Sequence, residues 1–168
     1  TFHTCNPQAP ATSFVMVNDI HGDNKLLEDL MSRCNLTQTD FVLFNGDMLS
    51  FINSEDQLFK GFMDTAVRLF ASEIPMYYAR GNHETRGVFA TEIQRYFSPC
   101  QEHLYYAFRQ GPVYCIVLDT GEDKPDSDIE YAGITQYDLY RTEQSEWLAS
   151  ILESTEYKEA PFKIIVAH

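Results

Sequence analysis

The 168-residue sequence has no long apolar run, its uninterrupted hydrophobic stretches being as short as Ile164 to Ala167. A helix needs roughly 18 to 20 such residues to cross a bilayer, so no membrane span is expected. Basic residues are also few: 12 Lys and Arg stand against 25 Asp and Glu, a formal net charge of −13. Such a chain has no general attraction for nucleic acid or anionic lipid. Long nucleic acid is therefore not expected as a partner, although a bound cation can still capture a small anion locally. Cysteine is scarce at four. Cys34 and Cys115 fall in apolar helix and strand patterns, where free buried thiols are common, and a disulfide involving Cys5 or Cys100 is the alternative reading. Internal repeats, low-complexity tracts and linker-like shifts are missing too, apart from a loose, Pro-containing start over residues 1–12. Residues 13–168 are thus expected to form one domain. No charged-then-apolar leader opens the chain, and Thr1 and the strand-end His168 give it the look of a fragment or processed piece.

What the sequence does contain is core material, 44% hydrophobic and 14% aromatic, and a recurring order. Ser13 to Val17 is a compact apolar run that stops at Asn18-Asp19, after which Leu26, Leu27, Leu30, Met31 and Cys34 recur at helical spacing. Phe41 to Phe44 stops at Asn45-Gly46-Asp47 and is followed by the stripe Leu58, Phe59, Phe62, Ala66, Leu69 and Phe70. Met76 to Ala79 leads into Gly81-Asn82-His83-Glu84 and then Phe89, Ile93, Tyr96 and Phe97. This alternation predicts a largely parallel sheet with helices on its faces. Tyr105–Arg109 and Val113–Asp119 flank Gln110-Gly111-Pro112 and read as a hairpin. The acidic stretch 120–140 reads as a surface loop, 141–152 as a helix and 162–167 as a last strand.

Four of these strands are each followed at once by residues able to bind a metal: Asp19 and His21, Asp47, Asn82 and His83, and His168. Ligand sites in open α/β sheets lie at the carboxyl ends of parallel strands, so loops distant in sequence converge on one edge. Carboxylate, imidazole and carboxamide oxygen suit hydrated divalent transition ions such as Mn, Fe or Zn rather than a thiolate-rich structural zinc site.

Taken in order, Asp19-Ile20-His21, Gly46-Asp47, Gly81-Asn82-His83-Glu84 and His168 resemble the successive motifs of the calcineurin-like metallophosphoesterases over nearly the whole chain. Leu118-Asp119-Thr120-Gly121, with Gln144 and Trp147-Leu148, further resembles the purple-acid-phosphatase-like branch. The resemblance implies a layered α/β fold of mostly parallel or mixed sheets flanked by helices, with its C-terminal part missing. It also implies two metal ions, with Asp19 and His21 on one, Asp47 bridging, and Asn82 and His168 on the other. A later Gly-His-x-His would supply one further ligand to each ion, so residues 1–168 alone are expected to be inactive and poorly stable. His83 in such families contacts the phosphate and protonates the leaving group, and Glu84 orients its ring. The implied reaction is hydrolysis of a small phosphomonoester or phosphodiester by metal-bound hydroxide, and the branch suggests an exported protein. Alternatives are a non-catalytic metal-binding scaffold and a nucleotide or cyclic-nucleotide phosphodiesterase.

Two departures narrow the resemblance. Met48-Leu49-Ser50 stands where Ser/Thr protein phosphatases carry Asp-Arg-Gly, which argues against protein phosphatase specificity. Ser50 also occupies the position of the purple acid phosphatases' iron-binding Tyr, and His21 is present where that branch lacks it. No tyrosinate colour is expected. Arg80 and Arg86 flank the third motif and read as salt-bridging residues, with a phosphate clamp as the alternative. His3 and His103 fit no motif, and Asp23, Asp119, Asp123, Asp126 and Asp128 read as solvated loop charges.

Overall fold

The computed structural model describes residues 2–97 and 103–168. Its first sheet is wholly parallel, β1 (Phe14–Val17), β2 (Phe41–Asn45) and β3 (Met76–Ala79) lying in that order. The second is mixed: β4 (Tyr106–Gln110) and β5 (Val113–Val117) form the expected hairpin, and β6 (Phe162–Val166) adds to β5 in parallel. The parallel sheet expected from the alternation is the first sheet, and the strands after residue 105 pair among themselves in the second.

Alternation along the strands sorts the apolar residues into three cores. Phe41 and Leu43 of β2 face Val113, Cys115 and Val117 of β5 in a layer between the sheets. The other face of β2 turns Val42 and Phe44 toward α1 (Asn24–Ser32), through Leu27 and Met31, and toward Leu58, Phe62 and Phe70. Tyr114 and Ile116, on the outer face of β5, pack against Trp147, Leu148 and Ile151. The order is therefore helices, sheet, sheet, helices. A strand covered on both faces reads as a continuous apolar run, as Phe41 to Phe44 does.

Helix boundaries differ from the sequence expectation in ways the side chains explain. Asp23 is exposed, as expected of a solvated charge, and it also caps α1 by accepting the Leu26 N–H at 2.9 Å. The second helical stretch starts at α2 (Glu55–Leu58), continues through a π-helical turn (Phe59–Met63) and α3 (Asp64–Ala66), and ends in a second π turn (Val67–Ala71). Wider turns shift the phase of the stripe, so Leu69 is only partly buried. The third stripe is a short 3-10 turn (Ala90–Glu92) followed by α4 (Gln94–Phe97). The helix expected at 141–152 begins earlier, as α5 (Tyr137–Glu153), because Asp126 accepts the N–H groups of Tyr137 and Asp138 at 2.8 Å each. A short α6 (Thr155–Glu159) precedes β6. No helix among the described residues is long and apolar enough to cross a membrane.

Residues 2–12 form no helix or strand, yet they are tied to the body. Thr12 Oγ1 donates to the Gln110 carbonyl at 2.6 Å, and the Asn6 N–H donates to Gln110 Oε1 at 2.7 Å. Cys5, Cys34 and Cys115 carry free thiols, and Cys100 lies outside the described residues.

The two sheets are also joined by polar groups. Asp119, expected to be solvated, is fully buried and paired with Arg80 through Oδ2–Nη2 at 2.8 Å and Oδ1–Nε at 3.1 Å. Tyr140 donates its hydroxyl to the same carboxylate at 2.9 Å, and Gln144 brackets the Asp119 main chain from both sides. Removing one partner of such a pair strands a buried charge at a cost of about 3–5 kcal/mol. Asp119→Ala is therefore expected to lower stability by that amount in urea denaturation, and a loss no larger than that of an exposed-site substitution would show that Arg80 finds another partner.

Candidate metal centre

The β1–β2 ladder ends at Val17 opposite Phe44, and the loops beyond it stay stitched together. The Asp19 N–H donates to the Gly46 carbonyl at 3.1 Å, His21 to Asp47 at 3.0 Å, and Gly22 to Met48 at 2.8 Å. This seam requires unusual backbone. Asp19, His21 and Asp47 have φ of 56°, 50° and 53°, a left-handed conformation that costs a non-glycine residue of order 1–3 kcal/mol. Three candidate ligands thus sit in strained backbone, where surrounding structure must hold them.

Two glycines let the loops meet. Gly46, with φ of 80°, lies so close to the third loop that an added Cβ would come 2.7 Å from the Gly81 backbone and 2.6 Å from His168 Nδ1. At Gly81 a Cβ would come 2.2 Å from Asp47 Oδ1 and 2.3 Å from the Asp47 nitrogen. Only hydrogen fits there.

Glu84 is buried and joins the second loop to the third. Its Oε2 accepts the N–H groups of Asp47 and Gly81, and its Oε1 that of Leu49, all at 2.9 Å. Burial raises its pKa, opposed by the hydrogen bonds from Leu49, Asp47 and Gly81, and the balance lies above the usual carboxylate value. The resemblance assigns Glu84 to the ring of His83, but here it serves the backbone. His83 is oriented instead by Ser50, whose carbonyl accepts its Nδ1–H at 3.0 Å. No side-chain pattern encodes a carbonyl acceptor, so sequence reasoning missed this contact.

Around Asp47 the predicted residues converge. Its Oδ1 accepts the His83 N–H at 3.1 Å. Its Oδ2 lies 3.2 Å from His168 Nε2 and 3.9 Å from the Nε2 atoms of both His21 and His83. Asp19 Oδ1 is 3.8 Å from His21 Nε2, and its other oxygen accepts from Asn18. His168 donates Nδ1–H to the Asn45 carbonyl at 2.7 Å. Burial acts to lower the His168 pKa, but that bond and the nearby charges of Asp47, Asp19 and Glu84 raise it. Asn82 enters from the same loop end, half-buried at the start of the 3-10 turn His83–Thr85.

The donor set fits a metal ion. His83 and His168 each commit Nδ1–H to a carbonyl, which turns Nε2 toward a carboxylate oxygen, and at His168 a neutral ring presents its lone pair there. Lone pairs then confront lone pairs, an arrangement that a cation relieves, and such outer contacts are how ligating imidazoles are usually held. Asp19, Asp47 and His168 form one group whose ligand atoms lie within 4.8 Å of one another, and His21, Asp47 and His83 form another. Proximity thus divides the histidines differently from the resemblance, with Asp47 shared in both divisions.

A family model described as calcineurin-like phosphoesterase matches residues 12–168. The chain belongs to this family. Among solved structures, the calcineurin-like fold here is similar to that of a purple acid phosphatase from yellow lupin (Lupinus luteus) seeds, at 19% identity and a TM-score of 0.65. That alignment covers 96% of this chain and 31% of the lupin chain, so this chain spans about a third of the length of that relative. No curated protein matches it. Ser50 lies with its hydroxyl 3.2 Å from His21 Nδ1.

Outer contacts of a metal site typically carry 10–100-fold in affinity. Gly81→Ala, which forces the second and third loops apart, is expected to weaken Mn binding by about ten-fold or more in isothermal titration. Unchanged affinity would mean that the centre does not need this close approach.

Proposed function

We propose that this chain carries the catalytic core of a hydrolase for small phosphate esters, working with two divalent transition-metal ions. The observation that supports the reading is the convergence of Asp19, His21, His83 and His168 on Asp47, a buried carboxylate at a strand end. Asp19, His21, Asp47, Asn82 and His168 are the residues that would hold the metals, with Asp47 between them. When bound, the ions would neutralise ester oxygens and acidify a water.

The rest of the chemistry belongs to the chain itself. With Nδ1–H committed to Ser50, the proton that His83 can hand on is the one on Nε2, the atom facing the centre. That suits a general acid for the leaving oxygen. Glu84 acts through the backbone, fixing Asp47 and the turn that carries His83. A non-catalytic scaffold would need the carboxylates but has no use for an imidazole that holds a proton toward the centre.

Two substitutions separate these roles. Asp47→Asn is expected to lower phenyl phosphate hydrolysis by at least about two orders of magnitude and to deplete bound metal, since a shared charge serves both ions. Elemental analysis that found two tightly held ions in this variant would rule out the shared role.

His83→Asn is expected to retain its metal and to slow hydrolysis by roughly 10²–10⁴, the usual contribution of a positioned acid. That loss should shrink for p-nitrophenyl phosphate, whose leaving group needs little protonation. Equal losses on phenyl and p-nitrophenyl phosphate would overturn the proton-donor role.

A further inference from the structure

Two arginines flank the third motif, and the structure uses them differently. Arg80 is largely closed off, its side chain 13% exposed and its Nε and Nη2 spent on the buried Asp119. Arg86 is not. Its Nε and Nη2 engage Glu122 Oε1 and Oε2 at 2.7 and 3.2 Å, a two-pronged pair that fixes the plane of the guanidinium. Glu122 is itself held: its side chain is 5% exposed and also accepts the Thr85 hydroxyl at 3.0 Å. Burial acts to raise its pKa, but the bonds from Arg86 and Thr85 prevail and bring it down to about 2, so the anchor stays charged.

The third nitrogen, Nη1, points toward His83, 3.3 Å from Nδ1 and 3.4 Å from Nε2. Near-equal distances place it across the ring rather than along either nitrogen's lone pair, and Nδ1 is already a donor to Ser50. Among the described residues, Nη1 thus meets no acceptor oxygen, although the side chain is 39% exposed. A cationic donor thus lies beside the imidazole that faces Asp47, in long contact with ring nitrogens rather than paired with a charged oxygen.

We infer that Arg86 Nη1 binds a non-bridging oxygen of the substrate's phosphate and that this contact selects phosphomonoesters over phosphodiesters. The inference rests on the phosphoesterase reading and deepens it. A monoester dianion offers three charged non-bridging oxygens, enough to meet two ions and still reach a further cation. A diester has two and a single charge, with an esterified oxygen in the remaining place. Hydrogen bonds to a charged group are worth about 1.5–3 kcal/mol, or roughly 10–150-fold, and the diester forfeits this contact.

The test compares wild type, Arg86→Gln and the double variant Arg86→Gln/Glu122→Gln, all loaded with Mn. The double variant avoids leaving Glu122 buried without its partner. For p-nitrophenyl phosphate, kcat/KM is expected to fall by about 10–100-fold in both variants, while for bis-p-nitrophenyl phosphate it falls by less than about three-fold. The Kd for inorganic phosphate, read by isothermal titration, should weaken by about ten-fold or more. If wild type hydrolyses the esters and the double variant loses both equally, or neither, the selection by Arg86 is overturned and the phosphoesterase reading stands. If wild type holds Mn and hydrolyses neither ester, that reading fails and the selection fails with it. Phosphate binding then judges the contact alone: an unchanged Kd overturns it, and a weakened one supports it.

Discussion

Three backbone N–H groups from two loops end on one buried carboxylate, and the centre depends on that junction. Glu84 binds the amides of Asp47, Leu49 and Gly81, which fixes the turn holding Asp47 in its left-handed conformation and the turn presenting His83. A charged group accepting several amides is strong where water is excluded, and it replaces the partners these amides lose where strand pairing stops. The glycines at 46 and 81 are the steric counterpart, since the junction closes only if no side chain stands between the loops. The strained backbone at Asp47 and the approach of the third loop to it follow from this junction.

Much of this was legible in the sequence. Each strand followed by a loop of Asp, His, Asn and Gly residues placed Asp19, His21, Asp47, Asn82, His83 and His168 at one edge, because strand ends and their register follow from the apolar pattern. The hairpin and the stripe Trp147, Leu148, Ile151 were readable for the same reason. What could not be read depends on contacts between distant residues. Asp119 looks like a loop charge until Arg80 arrives from the other sheet. Ser50 and Asn45 act through carbonyls that every residue possesses. The π turns after Leu58 widen a helix whose stripe was counted at 3.6 residues per turn.

The ion pairs divide by solvent access. Arg33–Asp29, Lys60–Asp56 and Arg95–Glu92 are exposed helix-surface pairs that contribute little. Arg80–Asp119 is buried between layers, and its hydrogen bonds to Tyr140 and Gln144 keep the desolvated charges satisfied. Arg86–Glu122 lies between these extremes, rigid at one end and open at the other.

The phenol of Tyr106 accepts the Tyr78 N–H and donates to the Tyr78 carbonyl, both at 3.0 Å. β3 is the last strand of the first sheet, so these are main-chain groups that a neighbouring strand would otherwise take. One side chain from the second sheet thereby takes up the main-chain N–H and C=O of Tyr78. Exposed sheet margins invite intermolecular pairing and fibre growth. At Tyr78 a single hydroxyl occupies the groups that a foreign strand would need, so pairing along this margin would have to break two hydrogen bonds within the chain.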